Sequence, residues 1–126
     1  MSSSTSDKGT LIAATSDAIS AWQADTAKLW LYHVSLKRVV VALLRAGSSQ
    51  VAYVMGVGCV SLSGPTSWIP AATLVDDVIH NGLPMTRFRD EPAGFEMLCK
   101  SMWIVHGRGA VPPDPFGEFF ADAEKT

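Results

Sequence analysis

The run from Val51 to Leu62, VAYVMGVGCVSL, is apolar in both alternating phases. Val51, Tyr53, Met55, Val57 and Cys59 fall on one side of an extended chain. Ala52, Val54, Gly56, Gly58, Val60 and Leu62 fall on the other. A strand that exposes one face to water alternates apolar with polar, so a strand apolar on both faces must be covered on both. This segment is therefore expected at the centre of a sheet, with the rest of the chain arranged around it.

The preceding segment, Lys28 to Arg45, supplies the first neighbours. Trp30, Tyr32, Val34 and Leu36 alternate, as do Val39, Val41 and Leu43. Leu29, Leu36, Val40, Leu43 and Leu44 also share a helical face, so a helix competes there. Aromatic and β-branched enrichment, with the Val39-Val40-Val41 run, favours strand. AGSSQ, residues 46–50, is then the loop of a hairpin spanning 36–62.

Further turns divide the C-terminal half of the chain. Gly64-Pro65 breaks the central strand, and Ala72 to Ile79 reads as a short strand. Asn81-Gly82 marks a tight hairpin turn into MTRFRD, read as a polar edge strand. Glu91-Pro92-Ala93-Gly94 turns the chain again. Phe95 to Gly107 is the last strand, and its apolar phase slips at Lys100-Ser101, the mark of a bulge. Before all of these, Thr10 to Ala27 is alanine-rich with helical spacing of Leu11, Ala14, Ala18, Ile19 and Trp22. Ser16-Asp17 is a candidate cap for a shorter helix there.

The expected fold class is α+β and mainly β: an N-terminal helix, then a mostly antiparallel sheet of five or six strands curled into a sandwich or a small open barrel. One globular domain is expected over 10–111. A polar, disordered lead-in covers 1–9, and an extended tail with a possible short helix covers 112–126.

The chain has 126 residues and a net charge of −2, with 17% charged residues. No basic stripe suited to nucleic acid is present, and Lys37-Arg38 is an isolated pair. The opening MSSSTSDKGT lacks the features of a secretion signal. The richest apolar stretch, 29–44, is interrupted by His33, Lys37 and Arg38, so no membrane span is expected. These features together lead to the expectation of a cytoplasmic location with two reduced thiols, Cys59 and Cys99. Charge is sparse against a usual ~25%, which favours surfaces covered by a partner or by self-association.

No motif assigns a reaction. Gly56-Val57-Gly58 is a fragment of a dinucleotide fingerprint without its strand-to-helix context. Cys59 lacks a local base, and its possible histidines, His33, His80 and His106, lie elsewhere in the chain. His33, Cys59, Cys99 and His106 show no metal-ligand spacing. Adjacent Asp76-Asp77 face opposite ways on a strand, and Asp90-Glu91 reads as a solvated turn. No cofactor and no metal is implied.

Two features stand out as contact elements. Gly64-Pro65-Thr66-Ser67-Trp68 presents an indole after a turn, suited either to core packing or to contact with a partner. Phe116, Phe119 and Phe120 make one stripe in the tail. The leading expectation is a small interaction module that binds another protein, or itself as a homo-oligomer, through Trp68, Phe116, Phe119 and Phe120. The alternative is a small-molecule pocket, or a thiol enzyme, inside the curled sheet. Tyr53, Met55, Cys59, Met97 and Trp103 would line it, and Gly56 and Gly58 would leave room for a tryptophan ring.

Overall fold

A computed structural model describes residues 12–33 and 37–108. In chain order the elements are β1 (Ile12–Ala13), α1 (Ser16–Trp22), β2 (Thr26–His33), β3 (Arg38–Leu44), β4 (Gln50–Ser63), β5 (Ser67–Trp68), β6 (Leu74–His80), β7 (Leu83–Asp90) and β8 (Phe95–Arg108). All eight strands belong to one antiparallel sheet that does not close. Its order is β5-β2-β3-β4-β8-β7-β6, and β1 pairs with β8. The fold is mainly β, as expected. Six strands match the sequence reading. The two additions, β1 and β5, are two residues each and too short to carry a periodic signal.

β4 is central, between β3 and β8. Both its faces are buried over residues 51–56, which is why both phases are apolar. The 28–45 segment is strand rather than helix. Its two halves, β2 and β3, pair with each other from Thr26↔Leu44 to His33↔Arg38. The helix is shorter than expected. Thr15, and not Ser16-Asp17, is its N-cap and accepts from the Ala18 N–H at 3.2 Å. Gln23 ends it in the left-handed region at φ 54°. Two or three residues on, the chain is already paired as β2.

Two corrections concern the last hairpins. Asn81 (φ 52°) and Gly82 (φ 80°) make the tight turn, as their left-handed preference dictates. The strand after it, β7, is interior, however, between β8 and β6. β6 is the edge. Asp90 is also not solvated: it is 0% exposed.

The sheet curls strongly. β5 and β7 are five strand positions apart, about 24 Å across a flat sheet at ~4.8 Å per strand. Yet Trp68 of β5 donates its indole N–H to Asp90 Oδ2, at the end of β7, at 2.6 Å. Its ring stacks on Phe95 of β8 with centroids 4.4 Å apart. One indole spans these groups only if the two sides of the sheet approach each other. Inside the curl lies the larger core: Val39, Val41, Leu43, Val54, Met97, Met102 and Ile104, joined by Ile19 and Trp22 of α1. The helix ties both sides: the Trp22 indole N–H donates to Leu43 O at 2.9 Å, and Ser16 Oγ donates to Val75 O of β6 at 2.8 Å. A second cluster lies on the outer face of the sheet: Val40, Ala42, Val51, Tyr53, Met55 and Val105. No described helix is long and apolar enough to cross a membrane.

Candidate functional site

The chemically distinctive place in the fold is a break in phase shared by β4 and β8. Along β4, Ala52, Val54 and Gly56 belong to the inner side, and the next inward residue is Cys59, three positions on. Along β8, Ile104 and Met102 are inward, and the next is Cys99, again three positions on. Gly58, at φ +65°, makes the turn-over possible, because an L side chain is strained there. The phase slip at Lys100-Ser101 is thus real, and its cause lies partly in the facing strand. A further register shift between Cys59 and Ser61 pushes Val60 outward to 49% exposure.

Because both strands slip together, Cys59 and Cys99 become direct cross-strand partners. Both are free thiols. Cys99 lies fully inside, with its sulfur in the space Gly56 leaves: a Cβ at Gly56 would sit 2.5 Å from Cys99 Sγ and 2.7 Å from Val39 Cγ1. Cys59 Sγ is close to Ser61 O at 3.4 Å. A hydrogen bond from the Cys99 thiol holds the Cys59 thiol down to about pKa 7, against the opposing effect of burial. The same bond, together with burial, pushes the Cys99 thiol upward. The pair therefore divides into a thiolate-prone sulfur and a proton-retaining one.

His80 and His106 are exposed, and His106 packs against Trp22 at 5.2 Å. His106 lies seven residues along β8 from Cys99, roughly 23 Å at ~3.3 Å per residue. Among the described residues no group of three or more His, Cys, Asp or Glu comes together to hold a metal ion. The room over the glycines is not occupied by a tryptophan. Cys99 and Val39 fill it at Gly56, and the Lys100 stem fills it at Gly58, where a Cβ would lie 2.8 Å from Lys100 Cδ.

The five residues expected to line a pocket are divided between the two sides of the sheet. Tyr53 and Met55 belong to the outer cluster, and Trp103 pairs with Met55 on β8. Cys59 and Met97 belong to the inner core. They cannot line one cavity. The phase break separates them: before it odd-numbered residues of β4 face out, and at Cys59 an odd-numbered residue faces in.

Trp68, expected as a contact residue, is 8% exposed and held by Asp90 and Phe95. It is a core residue. Phe116, Phe119 and Phe120 lie outside the described residues.

Exposed apolar side chains concentrate elsewhere, on the β6–β7 hairpin and just before it. Ile69 is 77% exposed, Leu74 46%, Ile79 72% and Leu83 58%. β6 borders the sheet, so the side of its backbone away from β7 meets no described strand. Its start is covered, since Ser16 of α1 holds Val75 O. Asp76 is also occupied: Arg87 grips it through Nε at 3.0 Å and Nη2 at 2.7 Å, and Arg89 lies 3.9 Å away. Asp77, on the other face, is exposed. Sequence reasoning misses this edge because "LVDDVIH" resembles an ordinary amphipathic strand. Its one signal is the pair of large apolar residues flanking the Asn81-Gly82 turn.

Comparison with protein-family models, with characterised proteins and with solved structures finds no match to this chain.

Proposed function

We propose that the protein is a small interaction module that takes an extended segment of a partner polypeptide along the open edge of β6. The observation that carries this reading is the exposed edge strand itself, flanked by Ile79 and Leu83. Bare sheet edges are normally blunted by charge, proline or cover, because they template pairing with other chains. Here α1 covers only the beginning of the edge. Main-chain hydrogen bonds would supply affinity, and alternate side chains would supply specificity.

The chemistry of the edge describes the partner. Exposed Ile79 and half-buried Val78 favour apolar residues, and exposed Asp77 favours a lysine or arginine opposite it. A second copy of this chain fits less well. Two β6 edges paired antiparallel about Asp77 would set two carboxylates against each other, and like charges directly opposite are destabilising. The test is a selection from a displayed library of short random peptides. The winners are expected to be apolar and basic, and to lose binding to an Ile79→Asp variant. Winners that bind this variant as well as the original protein would refute the β6 assignment. A stable dimer abolished by Ile79→Asp would instead assign the edge to self-association.

A further inference from the structure

We propose that Cys59 and Cys99 form a redox-active dithiol that reduces small disulfides, such as oxidised glutathione, and becomes a cross-strand disulfide in doing so. The geometry is the first support. The two residues are direct partners on adjacent antiparallel strands. Such partners have Cα atoms about 4.5–5.5 Å apart, within the ~4.4–6.8 Å that a disulfide spans. Both cysteines belong to the same inner core of the sheet.

Access is the second support. β3 covers β4 only as far as the Arg38↔Val57 pair. Past that point, the Cys59 N–H donates to Lys37 O at 3.0 Å, and no described strand pairs with this side of β4. Cys59 therefore sits where β4 becomes a border of the described sheet, with β8, β7 and β6 continuing on its other side. It is 6% exposed, beside a Val60 pushed out to 49%, whereas Cys99 is 0% exposed. Both are buried, and Cys59 is the less enclosed of the two.

That asymmetry sets the order of events. The Cys59 thiolate attacks one sulfur of the small disulfide. A mixed disulfide forms on Cys59, and one small thiolate leaves and takes a proton from water. Cys99 then gives up its proton to solvent and attacks Cys59 Sγ. The protein disulfide forms, and the second small thiolate leaves. Two electrons pass from the protein thiols to the small disulfide, which is reduced to two thiols. The hydrogen bond between the two thiols favours the first step, because it stabilises the attacking thiolate.

The experiment is equilibration of the native full chain with oxidised glutathione, followed by acid quench, intact mass and peptide mapping. The expected product is the protein minus two hydrogens, with the Cys59 and Cys99 peptides linked and no retained glutathione. Alkylation of Cys59 should fall roughly tenfold or more and return after dithiothreitol. Cys99→Ala should stop at the mixed disulfide, with glutathione on Cys59. Native protein whose thiols both stay reduced would overturn the proposal, provided the urea-unfolded chain oxidises in the same buffer. So would stable glutathione adducts on the unmodified sequence. Neither outcome depends on a variant folding.

Discussion

Replacing Asp90 with alanine should be among the most damaging single changes in this protein. Asp90 closes β7, is wholly buried, and accepts three N–H groups. The Trp68 indole reaches Oδ2 at 2.6 Å, the Ala72 amide reaches the same oxygen at 2.6 Å, and the Ala93 amide reaches Oδ1 at 3.3 Å. Those donors come from β5, from the segment before β6 and from the turn before β8. The carboxylate thus fastens together the parts that the curl of the sheet brings near. Leaving the buried indole N–H without a partner costs about 1–3 kcal/mol. The two amides are partly buried, so water recovers some of their loss, and each adds about 0.5–1.5 kcal/mol. Removing a buried charge returns part of its desolvation cost. The net loss is then roughly 2–5 kcal/mol, a large share of the ~5–15 kcal/mol available to a domain. Asp90→Asn should cost less, about 1–2 kcal/mol, because one amide oxygen can still serve Trp68 and Ala72. Urea unfolding of both variants measures this. Combined with Trp68→Phe, which keeps the stack on Phe95, it gives the coupling energy of the pair. An Asp90→Ala loss below about 1 kcal/mol, or an asparagine as harmful as alanine, would refute the reasoning.

Other consequences can be measured alongside. Gly56→Ala should destabilise by roughly 1–3 kcal/mol in urea unfolding, because its Cβ would meet Cys99 Sγ and Val39 Cγ1. Gly58→Ala should cost at least about 1–2 kcal/mol, through its left-handed φ and through the clash of its Cβ with the near end of the Lys100 side chain. The alkylation rate of Cys59 should rise through a midpoint near pH 7. That midpoint should move upward in Cys99→Ala, where burial acts without the thiol donor. Asp76 is held below the usual carboxylate range, chiefly by its hydrogen bonds to Arg87. Its contribution to stability is complete above the unfolded value of about 3.9 and is lost as pH falls through the folded value. The pair is partly exposed, so Asp76→Asn at neutral pH should cost no more than about 1 kcal/mol, and nothing at a pH below both values.

Much of the sheet is legible in the sequence because local and global preferences agree. The double apolar phase of residues 51–56 exists because β4 is buried on both faces, and Asn81-Gly82 turns where its left-handed preference says it should. What escapes is long-range. That β7 lies inside the sheet and β6 at its edge depends on which strand β8 chooses as neighbour, and alternation within a strand does not encode that. Asp90 reads as solvated because its three donors come from residues 68, 72 and 93, which only the curl brings together. The choice between core and contact for Trp68 is hidden for the same reason. The dithiol is half visible. Cys59, its two preceding glycines and the slip at Lys100-Ser101 are each noticeable, but only the register of β4 on β8 sets Cys59 opposite Cys99.

The most direct test of the proposed role is hydrogen–deuterium exchange with and without a peptide. A suitable probe is a synthetic strand of roughly eight residues alternating valine and lysine, long enough to run the length of β6. The β6 amides that do not point at β7 should exchange quickly in the free protein, as open edges do. Excess peptide should slow exchange in Asp76–Ile79 while leaving β3 and β4 unchanged, and Ile79→Asp should remove the effect. Protection that appears on another strand, or no protection of β6 at any peptide concentration, would contradict the account.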